Sequence, residues 1–307
     1  MLVSVIIPCL NAGRSVERLV ASLAPQRLPE GVSMEIVVVD NGSLDDSLDI
    51  LKKLDVQLCC EDTPGPAAAR NRGVEVSRGD IIVFMDADTR AVDSSFIKAH
   101  LRALADKKVA VSGGAITHDP EQKSILAFAE NATALFNWHD RLPARSQTFQ
   151  PTGNMAFRKE LFDMVGPLDE SLLWLEDFEW NTRVVQAGLS ICFDPAAAVY
   201  IRGRESLPDI LRKFYRWGLN VRSVYLPGRR SQFWIYPDST LLFMLNAPLR
   251  VLNESWVTVK RWIRVHPLRI LILIPVFLLF RTAWGFGMVA GAGRVRKKTV
   301  VQEEKGL

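Results

Sequence analysis

The 307-residue chain has four histidines, four cysteines and four tyrosines, and each scarcity narrows what the protein can be. Cys9, Cys59, Cys60 and Cys192 form no C-x-x-C pair, and the adjacent two lack metal-ligand spacing. This argues against a zinc site and against a disulfide framework. Four free thiols in a reducing compartment are expected, most of them packed in the core. The segment Met1 to Pro8 has no basic leader and runs straight into a strand-like stretch, so no signal peptide is expected and the folded part should stay in the cytosol. Nor is the composition that of a disordered chain. With 48% hydrophobic and 23% charged residues, the chain can bury a core sized for one large domain or one domain plus an appendage.

Acidic residues are scarce after residue 200. Residues 201–307 hold 19 of the 38 Lys and Arg but 6 of the 34 Asp and Glu, a local balance of +13, so the first 200 residues carry −9. Such an asymmetry points to a tail lying against an anionic surface, either nucleic acid or phospholipid. Apolar content favours the membrane. Ile270 to Phe280 is uninterrupted, and Ala283 to Gly293 follows after Arg281-Thr282.

The first 90 residues alternate short apolar runs with helical spacing. Val3 to Ile7 precedes the turn Pro8-Cys9-Leu10-Asn11-Ala12-Gly13 and a helix with Val16, Leu19, Val20 and Leu23 inward. Glu35 to Val39 ends in Asp40, a glycine turn and a second helix carrying Leu44, Leu48, Leu51 and Leu54. Val56 to Cys59 precedes Pro64-Gly65-Pro66 and a third helix. Gly79 to Met85 then ends abruptly in Asp86-Ala87-Asp88. The pattern predicts a mostly parallel sheet with right-handed crossovers. Residues i and i+2 of a strand share a face, so Asp86 and Asp88 should stand side by side at its carboxyl end, near Asp40. Two close carboxylates call for a cation, and a hard divalent ion that leaves room for phosphate oxygens, Mg²⁺ or Mn²⁺, suits them.

Val-Ser-Val-Ile-Ile-Pro-Cys-Leu-Asn-Ala, then Val-Val-Val-Asp-Asn-Gly-Ser, then Ala-Arg-Asn-Arg-Gly, then Phe-Met-Asp-Ala-Asp occur in an order that resembles the family 2 glycosyltransferases. The likeness spans about residues 2 to 220. It implies a GT-A type, Rossmann-like sheet with flanking helices, and a nucleotide-diphosphate-sugar donor lying across the first strands. By resemblance, Pro8, Asn11 and Asp40 hold base and ribose, Arg70 approaches the base or diphosphate, Asp86 binds the ribose side and Asp88 carries the divalent metal.

Three later stretches extend the likeness. In Pro151-Thr152-Gly153-Asn154, Asn154 is expected to touch donor sugar or acceptor. Glu176-Asp177 opens a helix and resembles the family's Glu-Asp pair, which implies Asp177 as the base that takes the acceptor proton and Glu176 as an orienting group. The acids also suit the helix dipole. Lys213-Phe214-Tyr215-Arg216-Trp217 is similar to a Gln-x-x-Arg-Trp motif of processive members, with lysine where glutamine stands. It puts Arg216 and Trp217 on the acceptor or diphosphate side and leaves polymer synthesis in doubt. Relatives often carry a histidine near Val199 to Arg204, and this chain has none there. Either an arginine binds the diphosphate directly, or the metal is held more weakly.

These expectations amount to a GT-A glycosyltransferase domain over residues 1–225 and a membrane-associated apolar helical tail over 226–307. The expected enzyme is inverting and uses a nucleotide sugar, a divalent metal and a lipid-linked or growing glycan acceptor at the cytosolic face of the cell membrane, with membrane lipids and no nucleic acid as partners. A catalytically silent glycan-binding subunit would not need Asp86, Asp88 and Asp177. A nucleotidyltransferase should show a glycine-rich, lysine-bearing loop after the first strand, and Pro8 to Gly13 is not one.

Overall fold

The computed structural model describes residues 1–224 and 239–293, which fall into two compact units, Met1–Glu205 and Ser206–Leu307. In chain order the first unit contains β1 (Leu2–Cys9), α1 (Gly13–Leu23), β2 (Ser33–Asp40), α2 (Ser47–Leu51), β3 (Gln57–Cys60), α3 (Pro66–Val76), β4 (Ile81–Met85), β5 (Thr89–Ala91) and α4 (Phe96–Leu104). It continues through β6 (Val109–His118), α5 (Ile125–Ala134), β7 (Arg145–Gln147), β8 (Asn154–Arg158), α6 (Lys159–Val165), α7 (Glu176–Gln186) and β9 (Ser190–Ile201).

One mixed sheet runs in the order β3-β2-β1-β4-β8-β6-β9-β5, with β7 added alongside β9. The first four strands are parallel, as the β-α alternation predicts. Beyond them β8 runs antiparallel to both β4 and β6, while β6 and β9 are again parallel. Both faces are covered, which is why the central strands read as continuous apolar runs. Alternation assigns each residue a side. Val3, Val5, Ile7, Val83 and Met85 pack with Val16, Leu19 and Leu23 of α1 and with Phe96 and Leu104 of α4. Ile6, Ile82 and Phe84 pack on the opposite face with Ala67, Ala69 and Val74 of α3 and with Trp180 and Val184 of α7. Gly73 lets α3 approach this closely, since a Cβ there would lie 2.3 Å from Ile6 Cγ2.

The second unit consists, among the described residues, of α8 (Leu207–Val224), α9 (Thr240–Trp262) and α10 (Pro267–Ala290). The expected boundary at 225 assigned α8 to the first domain, yet this helix groups with the C-terminal unit. The reason is a close backbone fit: Gly218 of α8 lies so near α10 that a Cβ would come within 1.9 Å of the Trp284 carbonyl.

Candidate active site

The parity that sends Ile82 and Phe84 toward α3 continues to Asp86, just beyond β4, so its carboxylate meets Arg70 of α3. Arg70 Nη2 lies 2.6 Å from Asp86 Oδ1, and Arg70 Nη1 lies 2.8 Å from Glu176 Oε1 at the start of α7. The Arg70 side chain is 4% exposed and that of Glu176 8%, so one arginine fork ties the aspartate expected on the donor side to the helix carrying the expected base. Burial works against the charge on Arg70, and Asp86, Glu176 and Asp177 together hold it protonated. The next motif residue, Asn71, donates to the Leu168 carbonyl at 2.9 Å and accepts from its N–H at 2.9 Å, which anchors the loop leading into α7.

Asp177 follows Glu176 on the first turn of α7 and is half-buried. Its carboxyl is pushed up from the ordinary carboxylate value, first by burial and then by the Glu176 charge, with Arg70 opposing. A carboxylate raised in this way is suited to accepting a proton. The turn begins at Leu175, whose φ of 66° is left-handed, a conformation costing a γ-branched residue about 1–2 kcal/mol. Asn181, one turn later, holds the start of the helix. Its Nδ2 donates to the Asp177 carbonyl at 2.7 Å and to the Gln150 carbonyl at 3.1 Å, and its Oδ1 accepts from the Gln150 N–H at 3.1 Å.

The expected pairing of Asp86 and Asp88 side by side is corrected. Strand β4 stops at Met85, and Asp86 to Thr89 forms a turn closed by the Thr89 N–H on the Asp86 carbonyl at 2.9 Å. Asp86 therefore faces Arg70 while Asp88 is exposed. Gly153 borders Asp86, and a Cβ there would come within 2.5 Å of Asp86 Oδ2. Among the described residues no group of three or more His, Cys, Asp or Glu forms a metal cage. Mg²⁺ and Mn²⁺ commonly take one or two carboxylates and complete their shell with substrate phosphate and water, so an exposed Asp88 fits an ion that arrives with a diphosphate.

The strand pair β5–β9 brings the backbone of Arg202 beside Asp88. The Arg202 N–H donates to the Asp88 carbonyl at 3.1 Å, next to the Thr89–Ile201 pair. Arg204 is bound instead to the fully buried Glu130, 3.0 Å away.

Asp40 ends β2 at 3% exposure. One of its oxygens accepts from Gly42 and Ser43 N–H at 3.2 and 3.1 Å, while Oδ1 is buried without a partner. An orphaned buried acceptor at the carboxyl edge of a parallel sheet matches a ligand N–H or hydroxyl. Pro8 lies in β1 opposite Val39, beyond the last residue of β1 bonded to β4, Ile6. Asn11 has φ 52°, and its Oδ1 accepts from Leu44 N at 2.8 Å, so it shapes the loop over Asp40. Asn41, which the sequence reading passed over, ties the end of β2 to the loop between β3 and α3: its side chain donates to the Glu61 and Thr63 carbonyls and accepts from the Gly65 N–H, each at 2.8 Å.

Asn154 was expected at the sugar or acceptor, and the structure places it elsewhere. It is fully buried, donates to Ala115 and Ala197 carbonyls at 2.8 Å and accepts from His100 Nε2 at 2.9 Å. Both of its amide hydrogens are spent on bracing β8 against β6 and β9. His100 is kept neutral by burial, its pKa lowered to about 4. Arg216 and Trp217 lie on α8 of the second unit, Arg216 exposed and Trp217 half-buried beneath Lys213 Nζ, 4.8 Å from the ring.

Residues 4–166 match the family model described as Glycosyl transferase family 2. The chain is 26% identical to Glycosyltransferase AglE of Haloferax volcanii over 75% of its own length and 76% of that protein. It is 28% identical to the Pre-mycofactocin glycosyltransferase of Mycobacterium tuberculosis over 79% of its length, but spans only 52% of that relative. Among solved structures, the mannosyltransferase PcManGT from Pyrobaculum calidifontis, in complex with GDP-Man and Mn²⁺, superposes with a TM-score of 0.60 at 17% identity, covering 95% of this chain and 86% of that one. At that identity the likeness concerns the fold.

Proposed function

From the premise that the chain belongs to glycosyl transferase family 2, a nucleotide-sugar-dependent glycosyltransferase of GT-A fold, we propose that it transfers one sugar with inversion to a lipid-linked or growing glycan acceptor. The observation that carries this reading is the Arg70 bridge between Asp86 and Glu176 with the raised Asp177 carboxyl beside it. In the proposed reaction Asp177 takes the proton of the acceptor hydroxyl as that oxygen bonds to the anomeric carbon, and the bond from this carbon to the diphosphate oxygen breaks. The nucleoside diphosphate leaves with the electron pair. No covalent sugar–enzyme bond forms, so the anomeric configuration inverts.

On the donor side we assign Asp40, with its orphaned Oδ1, together with Pro8 and Asn11, to the nucleoside, and Asp86 to the ribose side. Arg70 is too enclosed to meet the base, so we assign it to holding Asp86 and Glu176 in place. Asp88 is the residue we assign to Mg²⁺ or Mn²⁺, whose chemistry when bound is neutralisation of the departing diphosphate; Mn²⁺ accompanies GDP-Man in PcManGT. Arg202, held beside Asp88, is a second cation for that charge. Arg216 and Trp217 are assigned to the acceptor.

We further propose that the C-terminal unit attaches the enzyme to the cytosolic face of a membrane. Support comes from α10, long and apolar enough to cross a bilayer at a mean hydropathy of 1.9, and from the basic balance of the last hundred residues. Purified protein incubated with membrane extract and a panel of sugar nucleotides, followed by mass spectrometry, tests the activity. One sugar nucleotide should be consumed and one acceptor should gain a single sugar mass, both lost in Asp177→Asn. Synthesis of a sugar nucleotide from a sugar phosphate would overturn the reading.

A further inference from the structure

We infer that the C-terminal unit docks on one anionic leaflet without crossing it, with α9 and α10 lying in the plane of the interface. The inference rests on the membrane attachment proposed above and specifies its mode. Length alone would permit a crossing, because the 24 residues of α10 extend about 36 Å against a hydrocarbon core of about 30 Å.

What surrounds α10 argues otherwise. A Cβ on Gly287 would come within 2.1 Å of the Tyr215 carbonyl, and one on Gly291 within 2.1 Å of the Leu219 carbonyl. Phe214 stacks on Phe280 with centroids 5.4 Å apart. The stretch 214–219 of α8 is therefore laid along 280–291 of α10. The outer side of α8 carries Asp209, Arg212 and Arg216, all exposed. A spanning α10 would draw this charged side into hydrocarbon, at about 2.5 kcal/mol or more for each arginine near the centre.

The surface left over has the pattern of an in-plane helix. On α10 the exposed large apolar residues are Leu268, Leu271, Ile272, Leu279, Phe286 and Val289, one stripe along the whole length rather than a full circumference. On α9 they are Leu241, Leu242, Leu245, Leu249, Leu252 and Trp256, each at least 55% exposed. Charges within the helices are turned inward. Arg281 is 6% exposed and lies 4.0 Å from Glu254, which also faces Arg250 at 3.5 Å. Where α9 passes into α10, by contrast, Lys260, Arg261 and Arg264 are exposed. Residues 239–293 contain six Lys or Arg and one acid, Glu254. Cations flanking an apolar stripe complement an anionic phospholipid surface, each adding about 1 kcal/mol of attraction. A crossing hairpin would have to carry these three cations through the bilayer.

The experiment uses full-length protein in expressing cells, with native Cys60, which is exposed, as the marker of the enzyme's side and Val265→Cys as the probe of the α9–α10 connection. His266→Cys is a second probe should the first variant fail to fold. A membrane-impermeant maleimide is added to intact spheroplasts and to inverted vesicles. Cys60 and the probe should both react in inverted vesicles and both be protected in spheroplasts. Reaction of the probe in intact spheroplasts, with Cys60 protected, would show a crossing and overturn the inference. If the protein is absent from the membrane pellet, the attachment reading itself falls. Purified protein should also float with phosphatidylglycerol vesicles at least tenfold better than with phosphatidylcholine vesicles. Equal flotation would remove the anionic surface from the inference.

Discussion

Arg70 and Asp86 meet at 2.6 Å across the seam between α3 and the end of β4, and the same guanidinium holds Glu176 at 2.8 Å. The pair joins the end of β4, to which we assign the nucleotide sugar, to α7, to which we assign the base. Removing the cation strands a buried carboxylate at Glu176 and frees Asp86. Arg70→Met should therefore cost about 3–5 kcal/mol of stability, the usual consequence of deleting one partner of a buried ion pair. Arg70→Lys should recover part of the charge but not the two-pronged geometry. Chemical denaturation of both variants measures this; a change below about 1 kcal/mol for the methionine variant would mean that the bridge contributes little to folding.

As the proposed base, Asp177 should couple catalysis to pH with opposite signs for rate and stability. Since its folded-state pKa is raised, the native protein binds this proton more tightly than the unfolded chain does. Stability should thus fall as pH rises from the unfolded value of about 4 through the folded one. Asp177→Asn removes the effect, so the variant should melt above wild type at alkaline pH and converge with it below about pH 4. The same substitution should lower kcat by about 10²–10⁴ with donor affinity nearly unchanged. The acid limb of wild-type kcat/KM should lie well above the ordinary carboxylate range. A limb near pH 4, or no gain in melting temperature, would assign the base elsewhere.

The parallel β1-β2-β3-β4 half was legible because buried strands leave unbroken apolar runs such as Ile81 to Met85, each ending in a turn or an acid. The positions of Asp40, Asp86 and Asp177 followed from the same pattern and from resemblance. The relation of Asp86 to Asp88 did not. Strand parity holds only while the strand lasts, and the turn at Asp86 to Thr89 ends it one residue too soon. Asn154 misled because an amide beside glycine reads equally as a ligand contact or a brace, and only the surrounding carbonyls of Ala115 and Ala197 decide. Asn41 and Asn181 gave no local signal at all. Their partners lie 20 or more residues away or on the backbone, and one sequence does not display such pairings.

Asp88 and Arg202 are joined through a backbone hydrogen bond of 3.1 Å but should contribute differently. Asp88→Ala should abolish transfer while leaving the melting curve in place, because the side chain is exposed. Arg202→Ala should instead raise donor KM several-fold and increase the Mn²⁺ concentration needed for half-maximal rate, as the diphosphate loses one of its cations. Isothermal titration with the nucleoside diphosphate, with and without metal, separates the two. Full activity of wild type in excess chelator would remove the metal from the assignment, and unchanged metal demand in Arg202→Ala would remove Arg202 from the diphosphate.

Gly114 tests the brace beneath the site. A methyl group there would meet the Ala197 carbonyl at 1.9 Å and Asn154 Nδ2 at 2.4 Å, both fixed in the sheet. Backbone cannot yield as a flexible side chain does, so Gly114→Ala should destabilise by about 1–3 kcal/mol, the range for overpacking. Thermal melting checks it, and a neutral result would show that β6 and β9 shift easily.

The apolar and the charged parts of the C-terminal unit should separate in their response to salt. Lys260, Arg261 and Arg264 each add about 1 kcal/mol near an anionic surface, an attraction that salt screens. The exposed leucines of α9 and α10 add about 0.8 kcal/mol per buried CH₂, which salt does not remove. Six exposed aliphatic or aromatic residues on each helix far outweigh three cations. Wild-type protein should accordingly stay with membranes in high salt and need detergent for release. Reversing the three cations to glutamate should slow binding to anionic vesicles and flatten its salt dependence, yet leave the detergent requirement in place. Replacing Leu245, Leu249 and Leu252 with asparagine should do the reverse, giving a protein that binds at low salt and washes off as the screening length shrinks from about 30 Å to 3 Å. Release of wild type by salt alone would mean that the leucine stripe is not in lipid.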